Sequence, residues 1–282
     1  MFKNFGAAIA FTILISPSWG AGADAAPQAA WKTLEPGLDY GVFKAPRPSS
    51  IGDSQIMVAR IDPKHFKLDI YSTVRSEKNA GGLPIDSWMR NEKLVAAINA
   101  GVFEANGITT GYSRIGGRVL NPDWKSKYGA VLAIDPNDPA LPSAAILDSE
   151  CDDLNEQQKH YRVVLQGMRM IDCKGANMWP TAPRIWSTAA LGIDDQGRLL
   201  FIHARSPWDV HDFIDILKEL PLGIQRAMYL EGGPEASLSV EAGDISVTHV
   251  GSWETGFNEN DNNTSNWQLP NVIGVRRKGQ EK

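Results

Sequence analysis

Residues 198–235 read RLLFIHARSPWDVHDFIDILKELPLGIQRAMYLEGGPE, and the expected fold class follows from this stretch. Arg198 to Ala204 is an apolar run of strand length, and Ser206-Pro207-Trp208-Asp209 has the form of a capping box with proline at the first helical position. Val210, Phe213, Ile214, Leu217 and Leu220 then recur at helical spacing until Pro221-Leu222-Gly223 stops them, and Gln225 to Leu230 is the next strand. Strand, helix and strand in succession predict a β-α-β crossover between parallel strands. Its consequence is geometric: His203 and Arg205 end the first strand, Glu231 ends the second, and all three emerge on one edge of the sheet. Ligands bind at that edge in such arrangements.

Outward from this unit the chain reads mostly as hairpins. Ser54–Ile61 and Phe66–Thr73 alternate and flank a turn that contains His65; Thr110–Ile115 and Arg118–Leu120 flank Gly116-Gly117; Ala236–Glu241 and Ile245–Val250 flank Ala242-Gly243-Asp244. Lys93–Ile98, Tyr128–Ile134, Tyr161–Met170 and Pro270–Arg276 read as further strands, and Pro84–Glu92 as a short helix with Trp88 in the core. The expected fold is α+β: a mixed, curved β-sheet with hairpins and at least one βαβ unit, helices packed outside, in a single domain over residues 38–282.

Met1 to Ala23 has the layout of a secretory signal peptide: Lys3, the apolar run Phe5–Ile15, and Ala21-Gly22-Ala23 as a cleavage site. The run is shorter than the roughly 20 residues that span a bilayer, so no stable membrane span is expected after its removal. Residues 24–37 read as a flexible leader. Export to a periplasmic or extracellular space puts Cys151 and Cys173 where an even pair forms a disulfide, worth roughly 3 kcal/mol for a loop of this length. The net charge of −5 disfavours a nucleic-acid partner. Nine tryptophans point elsewhere, because indole presents a large apolar face with one donor and suits sugar stacking. Trp124, Trp179, Trp186 and Trp208 lie nearest the motifs described next.

Three segments run from a hydrophobic strand into glycine beside a polar residue: Val95–Phe103 (VAAINAGVF), Ser187–Asp195 (STAALGIDD) and Ala227–Glu235 (AMYLEGGPE). Glycine there allows close approach of backbone N–H groups to a ligand, and the adjacent Asn or Glu supplies a side-chain contact. One such segment is an ordinary turn; three suggest a shared cleft. As a set they resemble the phosphodiester glycosidase family, typified by N-acetylglucosamine-1-phosphodiester alpha-N-acetylglucosaminidase-like domains. Asn99-Ala100-Gly101-Val102-Phe103 is similar to the family's first motif, Thr188–Gly192 followed by Asp194-Asp195-Gln196-Gly197 to its second, and Tyr229-Leu230-Glu231-Gly232-Gly233 to its third. The resemblance runs in order from about Val95 to Val275. The chain departs from the pattern at Val102, at Glu231 where the family has Asp, and at Ser187-Thr188 where an arginine is expected; Arg184 can fill that role from a shifted register.

The resemblance implies an exported hydrolase that cleaves a sugar from a glycosyl phosphodiester in an envelope or extracellular glycan. The alternative is a glycan-binding or exopolysaccharide-processing envelope protein that keeps the cleft without the chemistry. A phosphodiester leaving group needs charge neutralisation more than protonation, hence cationic forks and a carboxylate near the anomeric carbon. Arg114, Arg184 and Arg205 are candidates for the forks, since guanidinium matches phosphate oxygens bidentately. Glu231 is the candidate acting carboxylate, with Glu104 or Glu235 as partner. Asn99, Gly101, His203, Gly232, Gly233 and Trp208 are candidates for substrate contact. No cofactor is required, although the oxygen-rich run Asn258–Asn263 could hold calcium without the spacing of a known loop.

Overall fold

The computed structural model describes residues 1, 31–75 and 81–279, so the signal-peptide reading, Met1 aside, falls outside the described residues. Seventeen strands and three α-helices follow one another among them. In chain order these are β1 (Lys32–Glu35), β2 (Leu38–Lys44), β3 (Gln55–Ile61), β4 (Phe66–Ser72), α1 (Ile85–Glu92), β5 (Ala96–Asn99), β6 (Ser113–Ile115), β7 (Arg118–Asn121), β8 (Ala130–Pro136) and β9 (Ala144–Asp148). Then come α2 (Leu154–Gln157), β10 (Tyr161–Gly167), β11 (Arg169–Ile171), β12 (Trp186–Asp194), β13 (Leu199–Trp208), α3 (Val210–Glu219), β14 (Ile224–Gly232), β15 (Ser237–Ala242), β16 (Ile245–Val250) and β17 (Asn271–Arg277).

They form three open sheets: β1-β2-β3-β13-β12-β14-β11, β7-β6-β10-β8-β9, and β16-β15-β5-β17-β4. One shared core lies between them, drawing Phe201, Leu191 and Met228 from the first sheet, Leu132 and Leu165 from the second, and Ile98, Leu238 and Ile273 from the third. Each strand sends alternate residues to opposite faces, so every sheet has a second apolar face. The helices cover two of them from outside. Phe213, Ile214 and Leu217 of α3 pack on Ala190, Ile202 and Tyr229, and Ile85, Trp88 and Met89 of α1 pack on Ala97 and Val272. The α+β class and the outside placement of helices agree with the sequence reading; Trp88 is core, its indole N–H donating to the Leu269 carbonyl at 2.9 Å.

Four local expectations are corrected. The sheet expected to be mixed is antiparallel at every strand pairing among the described residues, and with β12 between them the two strands of the expected βαβ unit, β13 and β14, do not pair with each other. The helix also starts later than the capping box implied. Strand β13 runs on to Trp208, the Ser206 hydroxyl accepts from the Ser54 N–H at 2.8 Å, and Asp209 is the true cap, accepting from the N–H groups of His211 and Asp212. Part of the expected flexible leader is ordered: β1 pairs with β2, and Trp31 packs edge-on against Phe43 with Arg60 over its ring. Lastly, the single strand expected over Tyr161–Met170 divides at Met168 between the second and first sheets.

Cys151 and Cys173 form the expected disulfide. The buried Asp148 carboxylate sits beside it, accepting from the N–H groups of Glu150 and Cys173 and pairing with Arg169 at 2.7 Å. Among the described residues no helix is long and apolar enough to cross a membrane.

Candidate active site

Because β12 is antiparallel to its neighbours, its N-terminal end shares a sheet edge with the C-terminal ends of β13 and β14. Ala189 is paired with His203 on one side and Glu231 on the other, and Thr188 with Ala204 and Gly232. The second sequence motif therefore reaches this edge through Trp186-Ser187-Thr188; Gly192 lies mid-strand, packed on Ile224.

The edge is completed by the segment after β16. Glu254 bridges Trp186, and its carboxylate lies against the α-carbon of Gly233: a side chain on Gly233, which has φ +63°, would meet Glu254 Oε2 at 2.3 Å. Gly232 is equally hemmed in, since a Cβ there would fall 2.4 Å from Trp186 Cδ1 and 2.5 Å from the Tyr229 hydroxyl oxygen. The Gly-Gly pair is thus what allows an indole, a phenol and a carboxylate to converge on the end of β14.

Three carboxyls share this place. Glu231 is partly buried, and its Oε1 accepts the Gly232 N–H at 3.0 Å. Burial pushes its carboxyl up to about 8; Glu235 and Glu254 push in the same direction, and the Gly232 N–H opposes them. Glu235 is raised by burial and then by Glu254, while Glu254 is raised by burial and pulled back by Arg184. Tyr229 is buried next to all three, which holds its hydroxyl protonated well above the ordinary phenol range. At neutral pH the cluster therefore contains a protonated Glu231, and Arg184 favours the ionised form of Glu254. Burial raises both carboxyls and Arg184 opposes it only at Glu254, a difference of the kind from which acid and base roles are drawn.

On the α3 side, the Tyr229 ring contacts Trp179 at 5.4 Å between centroids, and Trp179 in turn lines a cavity of about 430 Å³. Trp179, Trp186, Met168, Met178 and Pro180 give it apolar walls and Lys127 gives it positive charge, while Arg169, also in its lining, is paired with Asp148. Asp209 fixes the wall, its Oδ2 accepting the Ala182 N–H at 2.7 Å, and the Asn177 side chain ties the same segment to α3 by donating to Asp215 at 2.9 Å. Arg184 lies over the Trp186 ring at 5.9 Å and donates to the Thr255 carbonyl.

Of the residues singled out from sequence, Glu231, Gly232, Gly233, Glu235 and Arg184 come together here. Asn99 is adjacent, its buried Oδ1 accepting the Ser237 N–H at 3.0 Å and so tying the first motif to the third. Gly101 turns the chain after β5, and Val102 packs in the same cluster as Trp179, Trp186 and Tyr229. Glu104 is exposed in the following turn, and the carboxyls that act on Glu231 are Glu235 and Glu254. Arg114 is not a fork at this site: its guanidinium donates to the carbonyls of Gln158 and Tyr161 at 2.5 and 2.7 Å in the second sheet. Arg205 is likewise occupied, pairing with Asp261 at 2.7 Å and donating to the Val250 carbonyl. Trp208 is core, stacked on Phe213 with its N–H on the Arg47 carbonyl. His203 is fully buried, donates through Nε2 to the Ala236 carbonyl, and is held neutral by burial and by His249, which bring its pKa down to about 3. The amides of Asn258, Asn260 and Asn263 bond to their own loop, and among the described residues no group of three or more His, Cys, Asp or Glu could hold a metal ion. Sequence reasoning missed Glu254, Tyr229 as a polar group, and Lys127. The only signal for Glu254 is its place after Ser252-Trp253 in a polar loop, where a Trp-Glu pair is unusual company.

The sequence model of phosphodiester glycosidases matches residues 92–276, a span that includes all three glycine motifs and Glu254. The chain belongs to the phosphodiester glycosidase family. The fold agrees with that of two solved structures. The zebrafish N-acetylglucosamine-1-phosphodiester alpha-N-acetylglucosaminidase catalytic domain, auto-inhibited by its pro-peptide, is similar with a TM-score of 0.58 at 16% identity, over 89% of this chain and 87% of that one. A hypothetical protein from Synechocystis is similar with a TM-score of 0.57 at 14% identity, over 91% of this chain and 65% of that one. Among curated protein sequences none matches the chain. In this member of the phosphodiester glycosidase family, the shape of the acid cluster is expected to depend on Tyr229. Tyr229→Phe keeps the ring packing and removes the hydroxyl buried among the three carboxyls, so kcat is expected to fall roughly tenfold, with the far-UV spectrum unchanged. An unaltered kcat and pH profile would show that the hydroxyl only packs.

Proposed function

We propose that this chain is an exported hydrolase that releases a sugar from a glycosyl phosphodiester of an envelope or extracellular glycan. The observation that carries the reading is the convergence of Glu231, whose carboxyl burial raises, and Glu254, which Arg184 draws back toward its ionised form, beside a tryptophan-walled cavity. A neutral carboxyl can hydrogen-bond the phosphate where a second carboxylate would repel it. The cavity is large enough for one sugar ring, with Trp179 or Trp186 as its stacking face. Lys127 and Arg184 supply positive charge for the phosphate in place of Arg114 and Arg205.

In the reaction, the bond between the anomeric carbon and the phosphate oxygen breaks, and its electron pair leaves with the phosphate monoester. Glu231 donates its proton to that leaving group. Water adds to the anomeric carbon and gives its proton to Glu254, whose charge also stabilises the oxocarbenium-like transition state. Asn99 fixes the start of β15, just after the glycine turn, through the Ser237 N–H. Export is supported by the layout of Met1–Ala23 and by the Cys151–Cys173 disulfide, a bond that persists in oxidising compartments. The test is release of N-acetylglucosamine or another hexose from its methyl phosphate diester by the purified protein, beside the nitrophenyl glycoside of the same sugar. Turnover of the diester alone is expected. Cleavage of the glycoside with no preference for the diester would overturn the proposal.

A further inference from the structure

Tyr40, Met57 and His203 stand on the neighbouring strands β2, β3 and β13 of the first sheet, and His249 stands on β16 of the third. Met57 and His203 are direct cross-strand partners, so their side chains leave the sheet on the same face. With His249 they line a cavity of about 260 Å³, to which exposed Asp53, Gln55 and Thr248 also belong, so it is open to solvent. The acid cluster lies beyond β13, on β12 and β14, and uses none of these residues. His203 is fully buried, and its Nε2–H is committed to the Ala236 carbonyl at 3.1 Å; its Nδ1 is then a buried lone pair with no hydrogen-bond partner. An unmet acceptor of this kind is costly, and a histidine whose other nitrogen is held by a backbone carbonyl is the form in which imidazole binds a metal ion. The His249 ring lies 5.9 Å from that of His203 between centroids, with its Nε2 2.7 Å from the Tyr40 hydroxyl. When Tyr40 accepts the Nε2–H of His249, the Nδ1 lone pair of that ring is available as well.

We propose that this pocket binds a soft monovalent cation, Cu(I), through Nδ1 of His203, Nδ1 of His249 and the thioether of Met57. The donor set selects the ion. Two imidazoles and a thioether are neutral ligands that suit Cu(I), whereas a structural zinc ion takes four. Among the described residues no third His, Cys or carboxylate stands with the pair to complete such a site. Burial lowers the pKa of both histidines and so favours the neutral imidazole that binds metal. The charged groups around the cavity tolerate one positive charge: Arg205 is met by Asp261 at 2.7 Å, and Asp53 acts on His249 as a negative charge. Tyr40 orients His249 as the Ala236 carbonyl orients His203, and the ion ties the first sheet to the third.

The test titrates the purified chain with Cu(I), in the absence of oxygen, against the chromogenic competitor bicinchoninate. The wild-type chain is expected to withdraw a single Cu(I), and Ag(I), the redox-inert analogue, to raise Tm. His249→Gln and Met57→Leu should each weaken Cu(I) binding roughly 100-fold, and Tyr40→Phe roughly tenfold through loss of the hydrogen bond that orients the ring. Because His203 is fully buried and its replacement can prevent folding, the partly buried His249 and the volume-conserving Met57→Leu carry the test, with far-UV spectra as the check on folding. A wild-type chain that leaves all the Cu(I) with the competitor overturns the site. So does affinity that both variants retain, which places the ion on other methionines, and so does a gain in Tm from Zn(II) equal to that from Ag(I). Diester hydrolysis enters none of these measurements, so the site stands or falls separately from the reaction proposed above.

Discussion

Glu231→Gln is expected to lower kcat for a glycosyl phosphodiester by about 10³-fold while the protein remains folded, the loss typical of a removed general acid. Glutamine keeps the size of the side chain and can still accept the Gly232 N–H, so the change isolates the transferable proton. The wild-type rate is expected to fall as pH rises through about 8, because only the protonated carboxyl acts. Glu254 must be ionised, so the rate should also fall toward acid pH. A Glu231→Gln enzyme with wild-type turnover, or a wild-type rate flat across pH 7 to 9, would remove Glu231 from the chemistry.

The same variant carries a stability signature of the opposite sign. The folded chain holds the Glu231 proton up to about pH 8, whereas an unfolded glutamate releases it near its ordinary value of 4.5. Between these values the folded state binds more protons, so stability falls as pH rises through the window and the loss is complete above it. Glutamine has no such dependence. Allowing for the partial exposure of the group, Glu231→Gln should gain about 1–2 kcal/mol near pH 7.5, a few degrees in Tm for a chain of this size. Thermal melts at pH 5 and 8 check this, with the gap between variant and wild type widening at the higher pH. An inactive but stabilised variant would separate a catalytic loss from a folding one.

How far the site was legible depends on what each residue's neighbours in sequence reveal. Glu231 stood out because a strand-length apolar run, Ala227 to Leu230, ends on it and on two glycines. The chemistry of a strand end is local, and local pattern is what sequence carries. Glu254 arrives from a loop without periodicity and is placed by Asn258, Asn263 and Arg205, so nothing in its own surroundings announces it. The arginines show the complementary difficulty. Arg114, Arg184 and Arg205 look alike in sequence, and only the fold shows that carbonyls of Gln158 and Tyr161, or the Asp261 carboxylate, already occupy two of them. Trp208 and Trp179 differ in the same way, since position in β13 buries one under α3 and the loop before β12 brings the other to the cavity. The crossover expected over Arg198–Leu230 placed the correct ends on one edge even though β12 intervenes, because both strands are antiparallel to β12 and so run in the same direction.

Gly232→Ala is the second change with a large expected effect, and it acts by one methyl group. The backbone of Gly232 is extended, with φ −132° and ψ −176°, so alanine meets no conformational penalty there. The obstacle is packing: its Cβ would lie 2.4 Å from Trp186 Cδ1, 2.5 Å from the Tyr229 oxygen and 2.8 Å from Trp186 Nε1. Neither ring can retreat freely. Tyr229 is backed by Trp179 and its N–H is bonded to the Met168 carbonyl, while Trp186 is paired with Trp208 across the sheet and bridged to Glu254. Displacing Trp186 therefore moves Glu254 and the cavity wall together. Overpacking of this kind costs about 1–3 kcal/mol, and an ångström of misplacement among reacting groups costs roughly 10² in rate. The expected result is a Tm lowered by several degrees, an altered near-ultraviolet signal from tryptophan, and kcat reduced about 100-fold. Gly81→Ala, where a Cβ meets nothing within 4 Å among the described residues, is the matched control and should leave all three unchanged. If Gly232→Ala matches that control, the glycine is not what sets the approach of Trp186 and Tyr229, and the convergence of indole, phenol and carboxylate at the end of β14 has another cause.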